Sequence, residues 1–297
     1  MVAKSSPIQY SQIDGESFAN VPANGLTFTC RVAGMDNDGD AIILLHGFPE
    51  TSHMWFELMP TLAKEGFRVI APDQRGYSPG ARPSGKNAYK MEYLIQDVLS
   101  IADAFGIEKF HLAGHDWGSA VGWALAYHSP DRVYSWTALS VPHLTAFLNA
   151  VMTDEVQKKK SEYISFFRKP ILPELYFCIF GHKNLKRVWG RCSENQIEKY
   201  LGVFKQRKAI KAALHWYRAN MGDDNQGIGD IKTPTLLIWG ERDMAIGKKG
   251  VEDTESYMKG PYQLETLQSG HWLLQESFPD VSELILSQIN RYKSSNY

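Results

Sequence analysis

Gly114-His115-Asp116-Trp117-Gly118 sets an acidic residue between two glycines, after the apolar run Phe110 to Ala113 and before the helix-period stretch Ser119 to Ala126. Small outer residues let a strand turn sharply into a helix, as in G-x-S-x-G elbows, so the central side chain is thrust out of a strained turn. Here that side chain is Asp116. A carboxylate needs no base to deprotonate it, and it can attack saturated carbon and leave an alkyl ester. Epoxides and alkyl halides are the electrophiles that suit it. The helix N-terminus that follows favours the ionised carboxylate and offers backbone N–H groups to the ester carbonyl. A plain helix N-cap would also put an aspartate here, but it would not call for the flanking glycines.

His46-Gly47-Phe48-Pro49 directly follows the apolar run Ala41 to Leu45. A backbone N–H in such a loop, that of Phe48, can join the Trp117 N–H in an oxyanion hole, each donor contributing roughly 3 kcal/mol. A simple tight turn would have the same sequence. Asp243 follows the apolar run Thr235 to Trp239, and His271 follows the strand-like Tyr262 to Leu267 in Ser269-Gly-His-Trp. The order nucleophile, acid, histidine, each after a strand, brings all three to one edge of a parallel sheet. His271 would then activate water while Asp243 holds its tautomer. Glu241, two residues before Asp243, is the competing acid. Ser119 lies three positions past the elbow, so no serine takes the nucleophile's place.

The elements that must position these groups are short. Ala41 to Leu45, Phe67 to Ala71, Phe110 to Ala113 and Thr235 to Trp239 are nearly continuous apolar runs, as strands covered on both faces should be. Leu26, Phe28, Cys30 and Val32 alternate with polar residues, which predicts an antiparallel edge strand with one wet face. Helix-period stretches lie between, such as Met91 to Phe105 stopped by Gly106, and Phe278 to Tyr292. The fold class is therefore α/β, a mostly parallel sheet covered by helices. From Pro142 to about Asn225 the rhythm changes to aromatic- and Lys-rich helices with no strand candidate. This predicts a helical cap, 142–225, inserted into a core formed by 1–141 and 226–297 and closing a cleft over the strand ends.

With 297 residues, 43% of them hydrophobic and 22% charged, the chain can bury a large core. A formal charge of −1 leaves no basic excess for phosphates, so neither nucleic acid nor an anionic membrane is expected as a partner. Lys158-Lys159-Lys160 reads as a solvated helix face. Met1 to Pro7 carries no apolar stretch of signal-peptide length and the longest apolar runs are strand-sized, which points to the cytoplasm. Cys30, Cys178 and Cys192 are scattered without C-x-x-C pairing, so neither a disulfide framework nor a zinc site is expected. The chemistry needs no metal or organic cofactor.

Together these pieces resemble the α/β-hydrolase-fold epoxide hydrolases of the soluble type, over nearly the whole chain. The resemblance implies an eight-stranded sheet and a triad of Asp116, Asp243 and His271. His46-Gly-Phe-Pro, Asp73-Gln-Arg-Gly-Tyr and the elbow resemble the family's loops, although haloalkane dehalogenases share most of them. Ser161-Glu-Tyr163-Ile-Ser-Phe-Phe and Leu214-His-Trp-Tyr217-Arg-Ala-Asn resemble the two cap-tyrosine motifs of the epoxide hydrolases. The resemblance thus implies that Tyr163 and Tyr217 donate to the epoxide oxygen and protonate the alkoxide, with a small apolar or aryl epoxide and water as partners. An alkoxide leaves poorly at neutral pH, so an acid aimed at it gains 10²-fold to 10⁴-fold. Halide needs no proton. For the dehalogenase reading Trp117 is one halide donor, Trp189 or Trp216 could be a second, and Phe48 has no side-chain N–H. A hydrolase-fold protein that only binds a ligand is the alternative from another class. Pro49, Trp55, Phe147, Phe166 and Trp272 are the expected pocket residues.

Overall fold

The computed structural model describes residues 7–222 and 227–294. Nine strands form one sheet: β1 (Gln9–Ile13), β2 (Glu16–Ala23), β3 (Leu26–Ala33), β4 (Ala41–Leu45), β5 (Arg68–Pro72), β6 (Phe110–His115), β7 (Val133–Leu139), β8 (Thr235–Gly240) and β9 (Tyr262–Leu267). Their spatial order is β1-β2-β3-β5-β4-β6-β7-β8-β9. The pairs from β1 through β3 to β5 are antiparallel, and all the others are parallel.

Two expectations change. The sheet has nine strands rather than eight, because β1 pairs with β2 as an extra hairpin strand whose five residues are all exposed. A strand with no buried face has no apolar pattern to announce it. β3 is antiparallel, but it lies inside the sheet rather than at the edge; β1 and β9 hold the edges. Of its polar residues Thr27 is exposed, whereas Arg31 is buried and ion-paired with Glu16 on β2.

The centre of the sheet follows its sequence closely. Every residue of β4 is fully buried, and so are Phe110 and Ala113 on β6 and Leu237 and Ile238 on β8. Helices Met91–Ala104, Trp117–His128 and Phe278–Arg291 supply outer layers, and Gly106 adopts the left-handed conformation that ends the first of them. Between β7 and β8 run six helices, Leu144–Thr153, Glu155–Lys160, Glu162–Arg168, Leu172–Val188, Glu194–Phe204 and Arg207–Asn220, with no strand among the described residues. The expected return to the core at 225/226 and the reading of the first six residues lie outside the described residues. No described helix is long and apolar enough to cross a membrane.

Candidate active site

β6 ends in the sharp turn that its glycines permit. Asp116 has φ 51° and ψ −118°, a conformation non-glycine residues rarely hold, and helix Trp117–His128 starts on the next residue. Gly118 presses on the Leu45 carbonyl, where any side chain would collide. Gly47 lies so close that a Cβ there would sit 2.6 Å from Asp116 Oδ1. The Asp116 loop and the loop after β4 therefore pack backbone to carboxylate. The Phe48 N–H donates to Asp116 Oδ1 at 2.8 Å, and the Trp117 N–H belongs to the helix's first turn, which has no intrahelical acceptor. The sequence motif Asp73-Gln-Arg holds this loop. The Gln74 N–H donates to His46 Nε2 at 3.0 Å, its side-chain amide donates to the His46 carbonyl, and Asp73 Oδ1 accepts the Ser52 N–H at 2.8 Å.

His271 arrives on the loop after β9. Its Nδ1–H faces both oxygens of Asp243, at 3.1 and 3.0 Å, and its Nε2 stands 3.8 Å from Asp116 Oδ2. Asp243 is fully buried and accepts the N–H groups of Ala245 and Ile246 at 2.7 and 2.9 Å. Burial works against the Asp243 charge, yet His271, Ser140 and the Ala245 N–H hold its carboxyl at about 2. Burial likewise opposes a charged His271, but Asp243 first, then Asp116 and Glu50, raise it to about 9. Glu241 instead pairs with the exposed Gln268 side chain, away from the histidine.

Three contributors have no signal in the sequence reading. Ser140, at the end of β7 with φ 72°, donates to Asp243 Oδ2 at 2.6 Å and lies 3.0 Å from His271 Nδ1. His115 Nε2 donates to the His271 carbonyl at 2.8 Å, and its Nδ1 lies 3.4 Å from Glu50 Oε2. Glu50, fully buried, accepts from Tyr200 Oη at 3.0 Å and from Gln275 Nε2 at 2.6 Å. An acidic residue after His-Gly-Phe-Pro could have drawn attention, but nothing local says that it points inward. Lys160 departs from the solvated-face expectation. Lys158 and Lys159 are exposed, whereas Lys160 Nζ reaches the backbone carbonyls of Asp243 and Ile246, because its helix lies against the acid's loop.

Over the carboxylate lies an aromatic cluster. Tyr217 is 3% exposed and packs edge-on against Phe48, Trp117 and Phe167, with ring centroids 5.8, 5.0 and 5.1 Å away. Tyr163 is partly buried, with its ring 6.3 Å from that of Tyr217. Burial first, and then the Asp116 charge, push both phenols well above their ordinary range, so both stay protonated donors. Trp272 packs edge-on against His271 at 4.8 Å, and the Pro49 carbonyl accepts the Trp189 indole N–H at 3.2 Å. Phe166 meets the edge of this cluster through Phe167, with ring centroids 6.0 Å apart, and pairs with Tyr176 at 5.5 Å, while Phe167 touches Phe48 and Tyr217 directly. Adjacent helix positions point about 100° apart, and the motif alone did not say which ring turns inward. Trp55 and Phe147 are buried, but neither ring joins the cluster among the described residues. No group of three or more described His, Cys, Asp and Glu side chains is arranged to hold a metal ion.

The sequence profile of the alpha/beta hydrolase fold matches residues 40–278. A Bacillus subtilis AB hydrolase superfamily protein, YfhM, is 32% identical over 93% of this chain and 99% of its own length. Human epoxide hydrolase 4 is 32% identical over 90% of this chain and 77% of its own. The crystal structure of epoxide hydrolase A from Mycobacterium thermoresistibile superposes with a TM-score of 0.82 at 27% identity, over 93% of this chain and 98% of that one. The chain belongs to the α/β-hydrolase-fold family and, within it, to the epoxide hydrolases.

Proposed function

We propose that this chain adds water to small apolar or aryl epoxides, giving vicinal diols, in two steps at Asp116. The Asp116 carboxylate attacks a ring carbon and forms a hydroxyalkyl ester, while Tyr163 and Tyr217 donate to the oxygen and one of them protonates the alkoxide. His271 Nε2, at 3.8 Å from Asp116 Oδ2, then takes a proton from a water that attacks the ester carbonyl. The Phe48 and Trp117 N–H groups stabilise the resulting oxyanion. The helical segment acts as a cap that brings the phenols over the carboxylate.

The resting charge state supports this order. At neutral pH His271, raised to about 9, carries its proton. Alkylation cancels the Asp116 charge, one of the groups that raises His271. The imidazolium then gives up its proton more readily, to the phenolate left when the alkoxide is protonated, and serves as the base in ester hydrolysis.

The observation that carries the reading is the pair of cap phenols in the aromatic cluster, Tyr217 buried and packed on Trp117 next to Asp116, and Tyr163 partly buried beside it. The dehalogenase alternative needs side-chain N–H donors for halide. The Trp189 indole already donates to the Pro49 carbonyl, and the Trp216 indole to the Arg75 carbonyl at 2.9 Å. A single turnover in ¹⁸O-labelled water tests the route. The diol oxygen is expected to come from Asp116 and the label to enter the carboxylate; label placed directly in the diol would overturn the ester. With His271→Gln the alkylated protein should accumulate as a mass increment equal to the epoxide.

A further inference from the structure

The segment Leu172–Val188 is helical at both ends but breaks at Ile179–His182, and its first helical part has two apolar faces where a surface helix ordinarily has one. Its inner face carries Phe177, 1% exposed, with its ring 5.6 Å from Phe48 and 5.3 Å from Phe167, directly over the site. Its outer face carries Leu172, Leu175, Tyr176, Ile179 and Phe180 at 55, 44, 41, 41 and 83% exposure, continued by Ile171 at 59%. Leu172, Leu175 and Tyr176, spaced by 3 and 4, share one face of the first helical part, and Ile179 and Phe180 continue the exposed apolar run where the helix breaks. Large contiguous exposed apolar surface on a soluble protein marks an interaction site.

The rim of the stripe is cationic. Exposed Arg168, Lys86 and Lys211 share a groove with Ile171. The charges of Lys186 and Lys205 act on His182 at the other end, and that of Arg207 acts on Cys178. None of these six forms an ion pair with a described residue, and the acid within the segment, Glu174, is buried against Arg218. The chain's net charge of −1 hides this local excess.

We propose that this face docks on an anionic lipid surface, with the apolar stripe entering the headgroup boundary and the cations contacting acidic headgroups. An apolar stripe inside a basic rim is the pattern of helices that lie in a membrane interface. Two copies meeting through the same patch would bring their cations together, which disfavours self-association. The surface would stand one helix away from the aromatic cluster, where apolar molecules dissolved in lipid could pass to the site. Docking itself does not depend on which reaction the site performs.

The test is co-sedimentation of the full chain with phosphatidylcholine vesicles with and without phosphatidylserine. Wild type is expected to pellet with the anionic vesicles and to be released as salt is raised. Leu175→Gln with Phe180→Ser should weaken partitioning about tenfold or more, and Lys186→Glu with Arg207→Glu should remove the preference for phosphatidylserine. Unchanged melting temperatures show that both variants are folded. Wild type left in the supernatant, or two folded variants that partition like wild type, overturns the proposal. So does a dimer in sedimentation that Phe180→Ser dissolves, which would assign the face to a second copy.

Discussion

The two sides of the site are built in different ways. On the sheet side, each reacting group is restrained several times over by short polar contacts. Asp116 sits in a strained turn and is bound by the Phe48 N–H; Asp243 accepts from two backbone N–H groups, Ser140 and His271. On the helical side, Tyr163 and Tyr217 are held by ring packing against Phe48, Trp117 and Phe167. Polar restraints fix atoms to within tenths of an ångström, whereas packed rings fix a surface and leave room to adapt. A rigid carboxylate beneath an adaptable aromatic roof would suit the proposed reaction, in which the attacking atom is constant while the substrate shape varies.

Breaking the sheet side should therefore cost the most. Asp116→Asn removes the carboxylate proposed to attack, and single-turnover kinetics should show a loss of about 10⁴-fold or more. The roof comes next. Tyr163→Phe with Tyr217→Phe keeps the packing but removes both proton donors, and a loss of 10²-fold to 10⁴-fold is the range expected of general acids. Full activity in the double variant would leave the phenols with packing alone.

Smaller effects sharpen the contrast. Ser140→Ala removes one donor to Asp243 and should slow ester hydrolysis about tenfold. The Asp243 carboxyl should also rise from about 2, since Ser140 is one of the groups that lowers it; an unaltered pH profile would reduce Ser140 to packing.

The triad also links pH to stability. His271 is raised from 6.5 to about 9, so its contribution is full below pH 6.5 and is lost as pH climbs through 9. Asp243 is lowered from 3.8 to about 2, so its contribution is full above 3.8 and is lost as pH falls through 2. The melting-temperature gap between wild type and His271→Gln should shrink between pH 6.5 and 9; a constant gap would contradict the assignment. The smallest effects separate two neighbouring rings. Phe167→Ala should raise KM about tenfold, and Phe166→Ala, lying against Tyr176, should leave kinetics within about twofold.

Much of the sheet side was legible because its signals are local. A glycine-flanked acid after an apolar run, and an acid and a histidine each after a strand, are patterns of neighbouring residues, and six strands stand within a residue or two of the runs that announced them. β1, β2 and β7 were not announced. β1 has no buried face, β2 is only partly buried, and the Val133 to Leu139 run mixes polar and bulky residues. Glu50 and Ser140 were unreadable for another reason: each acts through partners more than a hundred residues away.

Sequence by itself determined which residue types meet at the strand ends, because backbone geometry ties a strand-turn-helix pattern to one exposed position. Tertiary structure decided which side chains turn inward among equals: Phe167 over Phe166, Asp243 over Glu241, and Lys160 drawn from its solvated neighbours. Orientation on a helix or loop depends on what packs against it, and that partner is chosen by the fold rather than by the adjacent residues.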